Sequence, residues 1–159
     1  QQYTDFILYF ADIAREGGAT AKEWLAMLKK FDGELAQSKS PDIQALRSSL
    51  ADGAKGVSDS IDFILATAGK DPNAAFAGAV PFLKLMGIVA GGWQLARAAL
   101  VCEKKLLNKE GDQSFHAAKI STARFYGDHV LSQAPGLAAT VTNGSAAVMS
   151  LSDEQFLAA

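Results

Sequence analysis

The chain carries two histidines, His116 and His129, and a single cysteine, Cys102. That is too few ligands for a zinc centre, and the histidines do not fall at a His-x3-His or similar spacing. His129, beside Asp128 inside a predicted helix, reads as a partly exposed surface histidine, with a polar interface group as the other reading. The carboxylates are neighbours at helix ends, as Asp153 and Glu154 are, or single residues on polar faces. Asp59 and Asp62 lie one turn apart, yet Ser58 and Ser60 around them indicate a wet face, so no acid–base pair emerges. Glu-x-x-His pairs, which mark di-iron bundles, are absent from the sequence. Cys102, in an Ala-Leu-Val context, reads as a small buried hydrophobe, and a lone cysteine excludes an intrachain disulfide.

Gly87, Gly91 and Gly92 invite a phosphate-loop reading, but neither GxGxxG after a strand nor GxxxxGK[ST] occurs. They fall inside a helical pattern continued by Ala90, Ala96 and Ala99, where small residues let another helix approach closely. Trp93, Arg97, Arg124, Phe125 and Tyr126 are the interface candidates. Aromatic and arginine side chains bury large areas and hydrogen-bond at the rim of protein contacts. The plainer reading places Trp93 and Phe125 in the core and leaves the arginines solvated.

The elements that position these residues follow from helical periodicity. Phe6, Ile7, Phe10, Ile13 and Ala14 form an apolar stripe over 3–16, ended or loosened at Gly17 and Gly18. A second helix covers 20–37 with Trp24, Leu25, Leu28, Phe31 and Leu35 on its apolar face; the alternative is one long helix running through the glycines. Ser40 and Pro41 restart the chain as cap and first-turn proline. Ile43, Leu50, Val57 and Ile64 then recur every seven residues, with Ala54, Ile61 and Ala68, as a bundle seam. That helix should end near Gly69 and Lys70. Asp71 and Pro72 repeat the start signal, and a long helix from about Asn73 towards Leu107 should kink near Pro81. After the polar loop 108–112, Asp112 caps a helix carrying Ile120, Ala123, Gly127, Val130, Ala134, Leu137 and Val141. It bends or breaks at Ala134, Pro135 and Gly136, and Asn143 with Gly144 ends it. Ser152 to Gln155 begins a final helix. The predicted fold is all-α, an antiparallel helical bundle of four to five main helices. Its divisions are an N-terminal segment (1–38), a bundle core (40–146) and a terminal helix start (152–159) within a single domain (1–159).

Hydrophobic residues make up 49% and charged residues 20%, which suits a packed globular domain. A formal net charge of −2 with scattered lysines and arginines argues against nucleic-acid binding, which needs a concentrated basic face. The uncharged run 85–96, between Lys84 and Arg97, is too short to cross a bilayer. The chain opens on Gln1, Gln2 and Tyr3 with no basic leader and no methionine, so it reads as a piece of a longer polypeptide.

Certain segments, in order and spacing, resemble a known domain. They are Asp71-Pro72-Asn73-Ala74-Ala75 leading into the block 87–97, His116-Ala117-Ala118-Lys119 into Arg124-Phe125-Tyr126, Leu137-Ala138-Ala139-Thr140-Val141, and Asp153-Glu154-Gln155-Phe156. The resemblance is to the extra C-terminal helical domain of acyl-CoA dehydrogenase-like flavoproteins, in the 3-methylmercaptopropionyl-CoA dehydrogenase-type branch, over most of 40–156. It implies that three upstream domains perform FAD-dependent α,β-dehydrogenation of an acyl-CoA to a 2-enoyl-CoA. There a glutamate takes the α-proton and flavin N5 accepts the β-hydride. No position here matches that glutamate or a flavin-binding domain. The resemblance therefore implies no catalytic, cofactor-binding or metal residue in this chain, with FAD held by the parent enzyme. Its implied partners are the upstream catalytic domains and a second copy in a homodimer, in a cytoplasmic enzyme of fatty acid metabolism. The domain would pack on the catalytic core or dimer interface and be inactive alone. The other reading is a free-standing binding module for a partner helix or a lipid-like ligand.

Overall fold

Short oxygen-bearing side chains, prolines and glycines divide this chain into helices, and the computed structural model describes residues 17–148 and 150–157. In order these are α1 (Ala19–Leu35), α2 (Pro41–Thr67), α3 (Pro72–Ala77), α4 (Ala79–Leu107) and α5 (Gln113–His129). A 3-10 turn (Leu131–Gln133), α6 (Ala134–Asn143), and the short α7 (Ser145–Val148) and α8 (Asp153–Leu157) complete them. No strand occurs among the described residues, so the fold is an all-α bundle. The stripe at Phe6, Ile7, Phe10, Ile13 and Ala14 lies outside them.

The caps act as their residue types dictate. Ser40 Oγ accepts from the Ile43 amide at 3.4 Å, Asp71 Oδ1 from Ala74 at 3.1 Å, and Asp112 Oδ1 from Phe115 at 3.0 Å. Ser152 Oγ accepts from the Gln155 amide at 3.4 Å while Gln155 Oε1 accepts from the Ser152 amide at 2.9 Å, a reciprocal capping box. Gly17 and Gly18 both take positive φ, 62° and 76°. A left-handed pair cannot continue a right-handed helix, so α1 starts afresh at Ala19 and no helix runs through the glycines.

Two breaks fall elsewhere than expected, for one reason. The segment from Asn73 to Leu107 is not one helix kinked at Pro81. It divides at Gly78, whose amide bonds back to Ala75, and Pro81 then sits in the first turn of α4. Likewise the break expected at 134–136 comes earlier: α5 stops at His129, and Pro135 occupies the first turn of α6. A proline in a first turn has no hydrogen bond to lose, so the chain breaks ahead of the ring rather than bending at it.

The core lies where α2, α4, α5 and α6 meet. Ile43, Leu50, Val57 and Ile64 of the seven-residue seam are all buried, joined by Leu46 and Ile61 from α2 and by Phe82, Leu85 and Val89 from α4. Leu131 and Val141 close it from the other side. Asp59 and Asp62 face solvent as expected, but Ser60 does not. It is fully buried, its Oγ donating to the Gly56 carbonyl at 2.7 Å, which satisfies it without a partner helix.

Side chains also fasten α1 and the turn after it. Gln44 Nε2 donates to the carbonyls of Leu35 and Ser38, each at 2.8 Å, answering orphan groups at the end of α1. Ser38 Oγ donates to Glu103 Oε1 at 2.7 Å, and the Ser40 amide donates to the same oxygen at 3.2 Å, tying this turn to the last turns of α4. Arg47 grips Asp32 through two bonds of 2.7 and 2.9 Å, and its donated bond holds the Asp32 carboxyl below its ordinary value. By length and apolar composition alone α4 could cross a membrane. In the bundle it packs against α2, α5 and α6, burying Phe82, Leu85, Val89 and Ala96, with 33% of its most apolar stretch buried.

Candidate functional site

The antiparallel pair α4 and α5 holds all five interface candidates. The short connection 108–112 forces the hairpin: Lys109 and Gly111 take φ of 57° and 64°, and Asp112 caps the return. Along the seam an added Cβ at Gly91 would lie 2.5 Å from Tyr126 Oη, and one at Gly92 would lie 2.7 Å from Leu131 Cδ1. These two glycines do serve close approach. Gly87 does not: nothing lies within 4 Å of where its Cβ would be.

The five candidates do not converge on one spot. Tyr126 belongs to the seam, its hydroxyl donating to the Ile88 carbonyl at 3.0 Å, and burial raises its pKa. Trp93 is half-buried and meets Trp24 of α1 edge-on, centroids 6.3 Å apart, with its Nε1–H buried and unpartnered among the described residues. Arg97 is exposed and lays its guanidinium 5.4 Å from the Trp93 ring centre while donating to Gln94 Oε1 at 3.1 Å. Arg124 is held on its own helix by Asp128 at 2.7 Å and reaches Asp42 at the start of α2 at 3.5 Å. Phe125 is not a core residue. It is 59% exposed and stacks on the exposed His129 ring at 4.2 Å.

Tyr126 gives a testable case. Tyr126→Phe should cost about 1 kcal/mol, the net worth of one hydrogen bond, in a thermal or chemical melt. A raised phenol pKa in the folded state contributes stability that is fully present below about pH 10 and is lost as pH rises through the folded value. The phenylalanine variant should therefore lose less stability than the parent between neutral pH and the alkaline range.

Residue-type reasoning passed over His116. It lies on the buried stripe of α5 with Ile120, Ala123 and Gly127, at spacings of four, three and four, so the signal was present in the sequence. The side chain is 7% exposed and both ring nitrogens are buried without a hydrogen-bond partner among the described residues. It lines a groove of about 440 Å³ between α4 and α5, together with Cys102, Val101, Phe115 and the basic residues Arg97, Lys105 and Lys119. Cys102 is buried, as its context suggests. Among the described residues no group of three His, Cys, Asp or Glu could hold a metal ion.

FAD finds no fitting cradle in the glycines of α4. They lie mid-helix, where amides are spent on the helix itself, and Gly91 and Gly92 are covered by Tyr126 and Leu131.

Comparison with known proteins bears directly on this bundle. Residues 11–152 match the family described as acetyl-CoA dehydrogenase C-terminal like. The chain is 42% identical over 119 residues to the 3-methylmercaptopropionyl-CoA dehydrogenase of Ruegeria pomeroyi, across 75% of this chain and 20% of that protein. The chain thus spans about a fifth of the length of the curated relative it matches, and the family match includes the α4–α5 hairpin. The extent of the family match and the all-α bundle agree, and the chain belongs to the acetyl-CoA dehydrogenase C-terminal-like family.

Proposed function

We propose that this chain is the appended C-terminal domain of an FAD-dependent acyl-CoA dehydrogenase and acts by packing rather than by chemistry. The parent enzyme would oxidise an acyl-CoA to a 2-enoyl-CoA in the cytoplasm, within fatty acid metabolism. The observation that carries this reading is the lopsided match: most of this chain aligns with only a fifth of a relative named as an acyl-CoA dehydrogenase. The remaining four-fifths leaves room for the flavin, the proton-abstracting carboxylate and the acyl site.

The domain would lie against the catalytic core or at the interface between two copies of the parent enzyme. Supporting this, Val80 and Leu83, three residues apart on α4, are large apolar side chains more than half exposed. Phe125 adds an exposed aromatic on α5. Apolar surface of this kind commonly marks contact faces.

The purified 159-residue chain, mixed with FAD, a short-chain acyl-CoA and an electron-accepting dye, should give no dye reduction above background. Flavin-dependent turnover by the chain alone would overturn the proposal. An immunoblot of source cells should show a band far above 16.7 kDa; a band at that mass would replace the accessory-domain reading with a self-standing module.

A further inference from the structure

We infer that the groove between α4 and α5 binds an anionic amphiphile, a ligand with a carboxylate or phosphate head on an apolar chain. This inference does not rest on the dehydrogenase reading.

His116 is the first observation. A buried polar group without a partner is unfavourable, and native proteins keep few of them without a cause. Here an imidazole is only 7% exposed, and neither ring nitrogen has a hydrogen-bond partner among the described residues. Gly111 makes room for it: with φ at 64°, the glycine carries no Cβ, and an added one would stand 3.1 Å from His116 Nε2.

The second observation is the charge around it. Arg97, Lys105 and Lys119 line the same groove, and among the described residues no carboxylate does. None of the three has an ion pair among the described residues, so the groove is a local positive field on a chain whose net charge is −2. Arg97 is anchored by Trp93 and Gln94, which fixes one cation in place before any ligand arrives.

The third is the apolar wall. Val101 and Phe115 are each more than half exposed beside those cations. The groove, about 440 Å³ and open along one side, has room for a small organic ligand lying against the two helices. An inorganic anion would use the cations and leave these walls wet, whereas an uncharged hydrocarbon would leave the cations and His116 unanswered. A head with a tail answers both. Phe115 stands edge-on to His116 with centroids 5.6 Å apart, and Lys119 Nζ lies 5.6 Å from the Phe115 ring centre, so apolar wall and cation meet beside the imidazole.

The test is an amide chemical-shift titration of the chain with dodecanoate and with dodecyl phosphate, each below its micellar concentration. Inorganic phosphate and 1-dodecanol serve as head-only and tail-only probes. One or both amphiphiles should saturate with shifts confined to α4 and α5 around the groove, and the tighter of the two identifies the head. The head-only and tail-only probes should each bind at least about ten-fold more weakly. The double variant K105Q/K119Q, altered only on the surface, should weaken the amphiphile at least about ten-fold, the loss expected from one charge-assisted contact. His116→Leu should also weaken it while leaving the ligand-free melting temperature unchanged or raised, because it removes unpartnered buried nitrogens. Dodecanol binding as tightly as the amphiphiles would overturn the inference. So would undiminished affinity in K105Q/K119Q, or no saturable binding by either amphiphile. Unchanged affinity in His116→Leu would overturn it as well, since the unpartnered imidazole would then take no part in binding.

Discussion

Replacing Phe82 with alanine should destabilise the bundle by about 3–5 kcal/mol, the range for deleting a fully buried aromatic ring. Phe82 has no solvent exposure and sits in the first turn of α4, directly after the break at Gly78. Its amide bonds to the Gly78 carbonyl at 3.0 Å, which fixes where the ring enters the core. Filling the hole would require α4 to move inward, but Leu85 and Val89 on its next two turns are fully buried and hold the helix in place. The cavity therefore persists, and its cost adds to the lost transfer energy. Domains of this kind hold only about 5–15 kcal/mol in total, so the variant should approach the threshold of unfolding. Equilibrium denaturation at 25 °C checks it; a loss below about 1 kcal/mol would show that the core refills around the gap.

The second large effect should come from adding volume instead of removing it. Gly92→Val places a branched side chain where even a single Cβ would stand 2.7 Å from Leu131 Cδ1 and 3.1 Å from its Cγ. Leu131 is 1% exposed and lies in the 3-10 turn between α5 and α6, so it has nowhere to go. Helix propensity works the other way, since replacing a mid-helix glycine recovers up to about 1 kcal/mol. Overpacking of about 1–3 kcal/mol, and more for a branched group, outweighs it. A double-mutant cycle separates these effects. Leu131→Ala alone should cost about 2–5 kcal/mol. Combined with Gly92→Val it should cost less than the sum, with a coupling of about 0.5–3 kcal/mol. Strict additivity would mean the two positions do not meet. By contrast, Gly87→Ala meets nothing and should stabilise through propensity alone.

These two sites show how unevenly the molecule was legible. Helix starts were plain, because Ser40-Pro41, Asp71-Pro72 and Asp112 each solve a local problem, the unsatisfied amides of a first turn. The buried seam of α2 was equally plain, since Ile43, Leu50, Val57 and Ile64 repeat on one face. Periodicity with a proline inside it predicts a bend or break at Pro81 and at Pro135, whereas the chain breaks ahead of each ring, at Gly78 and after His129. Glycines were half legible. Their clustering in 87–92 announces close approach, but which of the three is covered depends on the rotation of α4 against α5.

A bundle of helices, the starts of most of them, the stripe that each buries and the family that the order of motifs resembles all follow from residue types and spacing. Those properties are local or periodic, and local backbone chemistry enforces them. Packing between helices is what turns Phe125 outward onto His129, buries Ser60, and sets His116 in a groove with Arg97, Lys105 and Lys119. Arg97 and His116 sit on different helices, and whether they face each other depends on the turn at 108–112 and on the Gly91–Tyr126 contact. Helical spacing fixes the angle of a side chain about its own axis, while the angle between two axes is set by the side chains packed between them.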